Sequence, residues 1–304
     1  MSPRDDDLIV VTGANGFVGR HVVSRLAQAG YTLRAMVRDS SRYSPPLQVT
    51  IAEADLVRAE TLTGALEGAG TVIHCAALTA NLKEPYLGAY QKVNGLGTEN
   101  LAVAARTAGV RRLVAISGLG TQPAAAGTYM ATRWAFEEAV RNSGIPHVIL
   151  QPSVQFGDGA EFIGALARLI RTSPVVPALG GGRTRFQPIW IDDVVTCVER
   201  SLTDDALLNR AHAIGGSEYL TFKEILQTIA EVMGKRRMIL PLPMPLARLQ
   251  ARLLSAVMSH PPLTSATLEL FAFDNATELD AVERTFGFRP RGLREHLRVH
   301  GVAG

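Results

Sequence analysis

Apolar runs alternate with helical periodicity along the first half of the chain. The runs predict strands at residues 8–11, 32–37, 47–51, 71–75, 112–116 and 147–150. Between them, apolar residues recur every three to four positions and predict helices at 17–28, 60–66, 89–108 and 129–142. Strands that are apolar throughout and separated by helices are typical of a parallel sheet covered on both faces. The pattern therefore predicts a doubly wound α/β fold, in which ligands bind beyond the carboxyl ends of the strands.

The pattern changes after Pro152. It predicts helices at 160–171 and 192–202, strands at 186–189 and 211–214, and a loop rich in proline and glycine at 174–182, and from Thr221 onward it is mostly helical. We therefore expect two domains. Residues 6–155 with 185–214 form the parallel-sheet domain, and residues 156–184 with 215–304 form a smaller, mostly helical cap.

The first predicted strand runs into the sequence TGANGFVG, which opens the first predicted helix. In this GxxGxxG spacing, Gly13 permits a tight turn, Gly16 lets the backbone approach a pyrophosphate, and Gly19 lets the helix pack closely. Phosphates then meet the free N–H groups of a helix N-terminus. A strand, a turn and a helix in this order predict a Rossmann-type dinucleotide site, with contacts from Gly13, Asn15, Gly16, Phe17, Val18 and Gly19.

The end of the second predicted strand bears on the choice of dinucleotide. NAD sites usually place a carboxylate there to bind the ribose 2′-hydroxyl. This chain has Val37 at that position, followed by Arg38 and Asp39. Since an arginine binds a 2′-phosphate through a forked, charge-assisted contact, Arg38 favours NADP(H) and leaves NAD(H) as the alternative.

Composition excludes several classes of protein. The 304-residue chain is 47% hydrophobic and 19% charged, with a net charge of +3, and it has no concentrated basic cluster. We therefore expect a globular protein without a nucleic-acid partner. Cys75 and Cys197 do not make a disulfide framework, and the pair His296/His300 lacks a third ligand nearby, so no metal site is expected. An acidic N-terminus and the absence of an apolar stretch of roughly 20 residues predict a cytoplasmic protein.

Further segments resemble the short-chain dehydrogenase/reductase superfamily, in its extended or atypical, epimerase-like branch. The glycine turn is similar to that branch's cofactor loop, and Val93-Asn94 with Gly97-Thr98 is similar to its VN…GT helix. The resemblance covers nearly the whole chain. It implies additional cofactor contacts from Asp55, Leu56, Ala76, Ala77, Asn94, Gln151, Pro152, Ser153 and Val154, although the usual arginine of the last segment is Gln151 here.

Later segments resemble one subgroup of this superfamily more narrowly. Phe186–Ile189, Asp192–Val194, Pro261–Thr264 and Asp274-Asn275 are similar to the subgroup of the NAD(P)H-binding accessory subunit of respiratory complex I. This resemblance implies that the chain associates with a respiratory complex or a quinone-related assembly.

The superfamily's catalytic residues map onto Ser117, Tyr129 and Arg133. The resemblance implies that Ser117 holds the substrate oxygen, that Tyr129 exchanges a proton with it, and that the charge at position 133 supports the tyrosine. Position 133 is a lysine in active members and an arginine here, and the two are not freely interchangeable. Two interpretations stay open: a working oxidoreductase or epimerase, and a cofactor-binding protein without efficient turnover.

A leucine-rich segment over 246–258 predicts one more helix. Leu246, Leu249, Leu253, Leu254, Val257 and Met258 lie on one side of it. Packing of this side into the core is the main expectation. Binding to a membrane surface or a partner protein is the alternative, which would place the protein peripherally at the inner face of a membrane.

Overall fold

A computed structural model of the chain describes residues 7–81, 83–257 and 263–302. Within these ranges the strands are β1 (Leu8–Thr12), β2 (Leu33–Val37), β3 (Val49–Glu53), β4 (Ala69–His74), β5 (Arg112–Ile116), β6 (His147–Pro152), β7 (Gln155–Phe156), β8 (Val175–Leu179), β9 (Arg185–Phe186), β10 (Ile189–Trp190), β11 (Arg210–Ile214), β12 (Leu220–Thr221) and β13 (Met238–Leu242). The helices are α1 (Phe17–Gln28), α2 (Leu62–Ala65), α3 (Gly97–Thr107), α4 (Tyr129–Arg141), α5 (Glu161–Thr172), α6 (Ile191–Ser201), α7 (Phe222–Val232), α8 (Met244–Val257), α9 (Ser265–Glu269), α10 (Ala281–Phe286) and α11 (Leu293–His300).

A seven-stranded sheet organises the fold, in the order β11-β6-β5-β4-β1-β2-β3. The neighbouring pairs from β3 to β6 are parallel. Every residue of β4 and β5 is buried, which explains why these strands are apolar nearly throughout. The predicted doubly wound α/β fold is confirmed. The order of the strands reverses between β1 and β4, and such a switch point is where ligands bind in open α/β sheets.

The chain divides into two compact units. The first consists of the residues up to Leu78, Glu84–Gln151 and Val194–His212, and the second consists of Thr79–Lys83, Pro152–Asp193 and the residues from Ala213 onward. The predicted boundary at 185 differs from the observed return to the first unit at Val194. The reason is strand pairing, because β9 pairs with β12 and β10 pairs with β7.

The core of the first unit lies between the sheet and helices α2, α3 and α4. Leu62, Leu101, Phe136 and Val140 pack there against strand residues such as Val72. The predicted helix over 89–108 is interrupted. It begins as a π-helix at Gln91–Leu96 and continues as α3, so one wide turn precedes the regular helix.

The second unit has its own apolar core and three two-stranded sheets. Phe186, Phe222 and Phe271 pack edge-on or tilted against one another at its centre. The loop predicted at 174–182 is wrong in part, because Val175–Leu179 forms strand β8, which pairs in parallel with β13. A proline inside β8 obscures the strand pattern in the sequence, yet a proline is tolerated on such a short edge pairing.

Helix α8 forms as predicted, but the predicted core packing is wrong for three of its leucines, and Leu254 is half-buried. Ala247 and Ala251 are fully buried, whereas Leu246, Leu249 and Leu253 are exposed. The small side chains let the helix axis approach the core closely, and the leucines therefore face outward. Side chains are described as far as Leu254, so the predicted roles of Val257 and Met258 lie outside the described residues. Within the described ranges, no helix has the length and apolar character needed to cross a bilayer.

Candidate functional site

The glycine turn after β1 is sterically closed to larger residues at two positions. Gly13 has φ +62°, and a Cβ there would lie 2.7 Å from the Cα of Ala76. A Cβ on Gly19 would lie 2.1 Å from the carbonyl oxygen of Gly13, whereas one on Gly16 would lie 3.1 Å from it. Gly13 thus brings the turn against Ala76 after β4, and Gly19 brings helix α1 onto the turn.

The N-terminus of α1 is open to an anion. Its N-cap is Gly16, which offers no side chain to the first-turn N–H groups, and the first turn contains no acidic residue. The N–H of Gly16 itself donates to the carbonyl of Gly13 at 2.9 Å, which fixes the turn. Asn15 and Gly16 are exposed, and Phe17 and Val18 are half-buried. An uncapped helix N-terminus beside a steric cradle of glycines fits the pyrophosphate of a dinucleotide.

A buried histidine fixes the ends of β1 and β4 behind this turn. The Nδ1 atom of His74 lies 2.7 Å from the hydroxyl of Thr12, and its Nε2 atom lies 3.1 Å from the hydroxyl of Thr98. Thr98 donates its own proton to the carbonyl of Asn94 at 2.7 Å, so Nε2–H donates to Thr98 and Nδ1 accepts from Thr12. Burial lowers the pKa of His74 to about 3, so the ring is neutral.

Asn94 lies in the π-helix and supports the segment Ala76–Leu78. Its side-chain oxygen accepts from the N–H of Leu78 at 2.8 Å, and its Nδ2 donates to the carbonyl of Leu78 at 3.0 Å. Nδ2 also lies 3.3 Å from the hydroxyl of Thr132 on α4. Asn94 is buried, and its side chain is hydrogen-bonded in these contacts. Ala77 is exposed and Ala76 is half-buried. The side chain of Asn94 therefore holds the predicted cofactor wall in place.

The loop after β2 exposes Arg38 and occupies the nearby carboxylates. Asp39 accepts from the N–H and hydroxyl of Ser41, and these bonds lower the pKa of its carboxyl. Glu53 at the end of β3 accepts from the N–H and hydroxyl of Ser40, which likewise lower its pKa. Both carboxylates are thus committed to the loop, while the guanidinium of Arg38 lies at the surface.

Asp55 and Leu56, two of the predicted cofactor contacts, follow β3. Leu56 is buried in the core beneath α3, and its carbonyl accepts from the side chain of Asn100 at 2.9 Å. The carboxylate of Asp55 accepts from the N–H of Val57 at 3.0 Å. Asp55 therefore shapes the turn with its side chain, and Leu56 contributes to the core.

Helix α4 begins at Tyr129, where Thr128 caps it by accepting from the N–H of Ala131. The ring of Tyr129 packs edge-on against Tyr90, with 5.1 Å between ring centroids. Tyr129 is 9% exposed, so the side chain predicted to act as the acid/base is nearly buried. Arg133 follows one helical turn later, on the same face of α4.

The guanidinium of Arg133 is held against the backbone of Gly118. A Cβ on Gly118 would lie 2.1 Å from its Nη2 atom, so in this conformation the arginine occupies the space beside the glycine backbone. Nη2 is buried and has no hydrogen-bond partner among the described residues. Burial lowers the pKa of Arg133, while Tyr129 and Glu137, one turn before and after it, act in the opposite direction. A buried donor without a partner marks a place where a ligand oxygen fits.

Ser117 is bound to a carboxylate that the sequence interpretation missed. Its hydroxyl donates to Oε1 of Glu137 at 2.5 Å, and Nε2 of Gln151 donates to the same oxygen at 2.8 Å. Oε2 of Glu137 accepts from Arg141. Glu137 is fully buried, so these three donors replace its hydration. The helical spacing 129, 133, 137 is the signal from which Glu137 could have been recognised on the same face as Tyr129 and Arg133.

Three of the predicted cofactor residues belong to the second unit, and two of them are hydrogen-bonded to Asn275. The hydroxyl of Ser153 lies 2.7 Å from Oδ1 of Asn275, and the N–H of Val154 donates to that oxygen at 3.1 Å. Pro152 ends β6 just before them. Asn275 was part of the resemblance to the complex I subgroup, and its role here is to fix the backbone at 153–154.

The described residues contain no group of three or more histidine, cysteine, aspartate or glutamate side chains able to hold a metal ion. His296 and His300 stack at 4.5 Å, and His296 also packs against Phe156 and Trp190. Ring packing accounts for this pair.

Comparisons with known proteins agree with this geometry. The model of a family described as NAD(P)H-binding matches residues 13–161. Ceramide reductase of Caulobacter vibrioides is 31% identical over 241 residues, which cover 78% of this chain and 74% of that protein. The mitochondrial NADH dehydrogenase (ubiquinone) 1 alpha subcomplex subunit 9 of Arabidopsis thaliana is 24% identical over 278 residues, covering 88% of this chain and 68% of the relative. The UDP-glucose 4-epimerase of Thermus thermophilus, solved with NAD, has a TM-score of 0.71 at 22% identity, with 96% of each chain covered.

The glycine turn, the open helix and the parallel sheet define an NAD(P)H-binding Rossmann protein. The chain belongs to the NAD(P)H-binding family that it shares with ceramide reductase, and its relatives include reductases and a complex I subunit, while an epimerase has a similar fold. The family resemblance seen in the sequence is thus confirmed. The individual roles of Ser117, Tyr129 and Arg133 stay predictions.

Proposed function

We propose that this protein is an NAD(P)H-dependent oxidoreductase that reduces a carbonyl compound, with Tyr129 as its acid/base. The observation that carries the proposal is the pair Tyr129 and Arg133, one turn apart, with the arginine held against Gly118 and one buried donor unmatched among the described residues. The bound cofactor supplies the hydride. The same pair is compatible with an epimerase, whose reaction also moves a proton at an oxygen.

Tyr129, Arg133 and Glu137 have different roles in the proposed reduction. Tyr129 donates its phenolic proton to the substrate oxygen during reduction. Arg133 keeps a positive charge beside the phenolate that then forms, and its free donor binds the cofactor or substrate oxygen. Glu137 holds Ser117 and Gln151 and offsets the charge of Arg133.

A second candidate function is a cofactor-binding protein without efficient turnover, serving a respiratory or quinone-related complex at the inner face of a membrane. Three observations favour it. The hydroxyl of Ser117 is already bound to Glu137, and position 133, where the resemblance to the superfamily implies a lysine, is an arginine. The similarity to the complex I subunit extends over 88% of this chain, which supports an assembly role.

We propose NADP(H) as the preferred cofactor. Arg38 is exposed at the end of β2, and both neighbouring carboxylates, Asp39 and Glu53, are bound to loop serines. An arginine with no competing carboxylate suits a 2′-phosphate better than a 2′-hydroxyl.

We propose a lipophilic carbonyl compound as the substrate class. The support is the similarity to a protein named ceramide reductase, since that name denotes a lipid substrate. A useful panel therefore contains long-chain ketones first, with quinones and nucleotide sugars as the alternatives.

Turnover by Tyr129→Phe tests the proposed activity. NADPH oxidation is followed at saturating cofactor across the panel. We expect kcat to fall by about 10²- to 10⁴-fold in the variant, because the proton donor is lost, while the Kd for NADPH stays unchanged. Tyr219→Phe is the matched control, since it removes an exposed hydroxyl that donates to the carbonyl of Thr277 in the second unit.

The outcomes separate the two candidates. Unchanged turnover in Tyr129→Phe contradicts the role of this tyrosine. NADPH binding without turnover on any member of the panel favours the second candidate. Absence of both NADPH and NADH binding overturns both.

A further inference from the structure

Six large apolar side chains of the second unit face outward in one stretch of structure. They come from the two-stranded sheet of β8 and β13 and from helix α8, which follows β13 directly. We call them the apolar face, and each is between 43% and 62% exposed: Val175, Met238, Leu240, Leu246, Leu249 and Leu253. Apolar side chains concentrated in this way on a surface commonly mark a site of interaction.

The sheet of β8 and β13 contributes three of the six exposed side chains. Met238 pairs with Val175, and Ile239 pairs with Val176. Because side chains alternate along a strand, Val176 and Ile239 point to the core of the unit, and Val175 and Met238 point away from it. The outer side of this sheet is therefore as apolar as the inner side, which is unusual where one side meets water.

Helix α8 contributes the other three exposed side chains. Ala247 and Ala251, four residues apart, are fully buried against the core. Leu246, Leu249 and Leu253 have the spacing of a separate stripe on the same helix. The helix thus turns these two alanines inward and three of its leucines outward.

The charges of the segment that contains β13 and α8 indicate which kind of partner binds this face. From Val232 to Leu268 the chain has no aspartate or glutamate, but it has five cationic residues: Lys235, Arg236, Arg237, Arg248 and Arg252. The guanidinium of Arg237 is hydrogen-bonded within the second unit, since its Nε donates to the carbonyl of Ile170 at 2.7 Å. The other four are exposed. On a helical wheel, Arg248 and Arg252 lie on one flank of the helix, between the buried alanines and the leucine stripe.

We propose that the apolar face docks on the surface of an anionic lipid bilayer, with α8 lying in the plane of the interface. Leucines inserted among the acyl chains and flanking arginines among anionic headgroups are the pattern of such helices. Two copies related by a twofold axis would bring these cations together without any carboxylate from the same segment to compensate, so self-association fits the charges poorly. The inference gives a surface to the membrane association suggested above and does not depend on the proposed reductase activity.

Flotation of the full chain with vesicles tests the proposal. The vesicles contain 70% phosphatidylcholine and 30% phosphatidylglycerol, and pure phosphatidylcholine serves for comparison. We expect binding to the anionic vesicles that weakens several-fold in 0.5 M NaCl, because surface charges are screened. Leu246→Ser/Leu249→Ser/Leu253→Ser should lower the partition coefficient at least tenfold. The control Leu47→Ser/Leu87→Ser/Leu279→Ser replaces three exposed leucines elsewhere and should bind as the unmodified chain does.

The arginines are tested separately. Arg248→Gln/Arg252→Gln should weaken binding to anionic vesicles by about fivefold for each charge removed. Arg168→Gln/Arg284→Gln removes the same charge from residues that pair with carboxylates, and it should have a smaller effect.

Three results would overturn the proposal. One is equal binding to neutral and anionic vesicles, and another is equal loss in the leucine control. The third is the absence of vesicle binding together with an oligomer that the leucine triple variant dissociates in sedimentation, which would make the apolar face an interface between copies. Unchanged NADPH binding in every variant shows that the cofactor domain is intact, so failure of docking is distinguishable from failure of the proposed reductase.

Discussion

At the scale of single residues, the sequence predicted the positions that depend on local geometry. Gly13 and Gly19 are required because a Cβ at either would meet backbone atoms, and both were recognised from their spacing. The state of Ser117 was not predictable. Its partner Glu137 lies 20 residues away, and only the fold shows that the serine donates to it. A motif identifies residue types at positions, whereas hydrogen-bond partners depend on packing.

The neutral state of His74 predicts a dependence of stability on pH. In the folded chain its pKa is about 3, against an ordinary value of 6.5. Below pH 6.5 the unfolded chain takes up a proton that the folded chain refuses, so the stability that this group contributes is complete above pH 6.5 and is lost toward pH 3. Between pH 7.5 and pH 5 the loss from this one site is about 2 kcal/mol.

Urea unfolding of the unmodified chain and of His74→Gln measures this loss. The difference in unfolding free energy between the two chains should shrink by that amount as the pH falls from 7.5 to 5, since glutamine does not titrate. A difference that is constant with pH means that His74 has the same pKa in the folded and the unfolded chain, which contradicts the lowered pKa. If the variant does not fold, an NMR titration of the unmodified chain replaces it, and the His74 resonance should not move between pH 5 and 8.

Arg38 carries the prediction of cofactor preference. In Arg38→Ala we expect the affinity for NADPH to fall by about tenfold to hundredfold, because a charge-assisted contact to the 2′-phosphate is lost. The affinity for NADH should change little. Calorimetric titration with both cofactors measures this, with Arg106→Ala as the control, since Arg106 is an exposed arginine in the last turn of α3. An equal loss for both cofactors assigns Arg38 a general electrostatic role instead.

At the scale of elements, periodicity predicted the regular helices and strands and failed where two requirements compete. Helix α1 and strand β5 have their predicted bounds. The helix predicted over 89–108 contains a π-helical turn around Asn94, whose side chain bonds to both backbone groups of Leu78. Such a wide turn changes the phase of the helix without changing its composition, so the sequence pattern does not reveal it.

Helix α8 shows the opposite limit. Its leucines and alanines both have helical spacing, and hydrophobicity alone assigns the leucines to the core. The structure buries Ala247 and Ala251 because small side chains allow a close approach to the neighbouring elements. Which of the two apolar stripes is buried depends on the distance between the helix and the elements beneath it. The spacing of apolar residues along the helix does not reveal that distance.

At the scale of the whole molecule, the alternation of strands and helices predicted a doubly wound parallel sheet, and the structure confirms it. The division into units was less predictable. The segment 185–193 belongs to the second unit through pairings of two residues each, which are too short to leave a pattern. The substrate was not predictable either, since the residues that shape a pocket come from separated segments with no shared spacing.

Hydrogen exchange with and without NADPH tests the assignment of the cofactor to the first unit. At a hundred times its Kd, a ligand that binds only the folded state stabilises it by about 2.7 kcal/mol, so exchange through opening of the bound region slows up to about a hundredfold. We expect this protection in the turn 13–19 and at Ala76–Leu78, and none in residues 238–253. Protection of Ser153 and Val154 would support the cofactor role predicted for them. Protection limited to the second unit would contradict the assignment, because the glycine turn and the open N-terminus of α1 would then be unused.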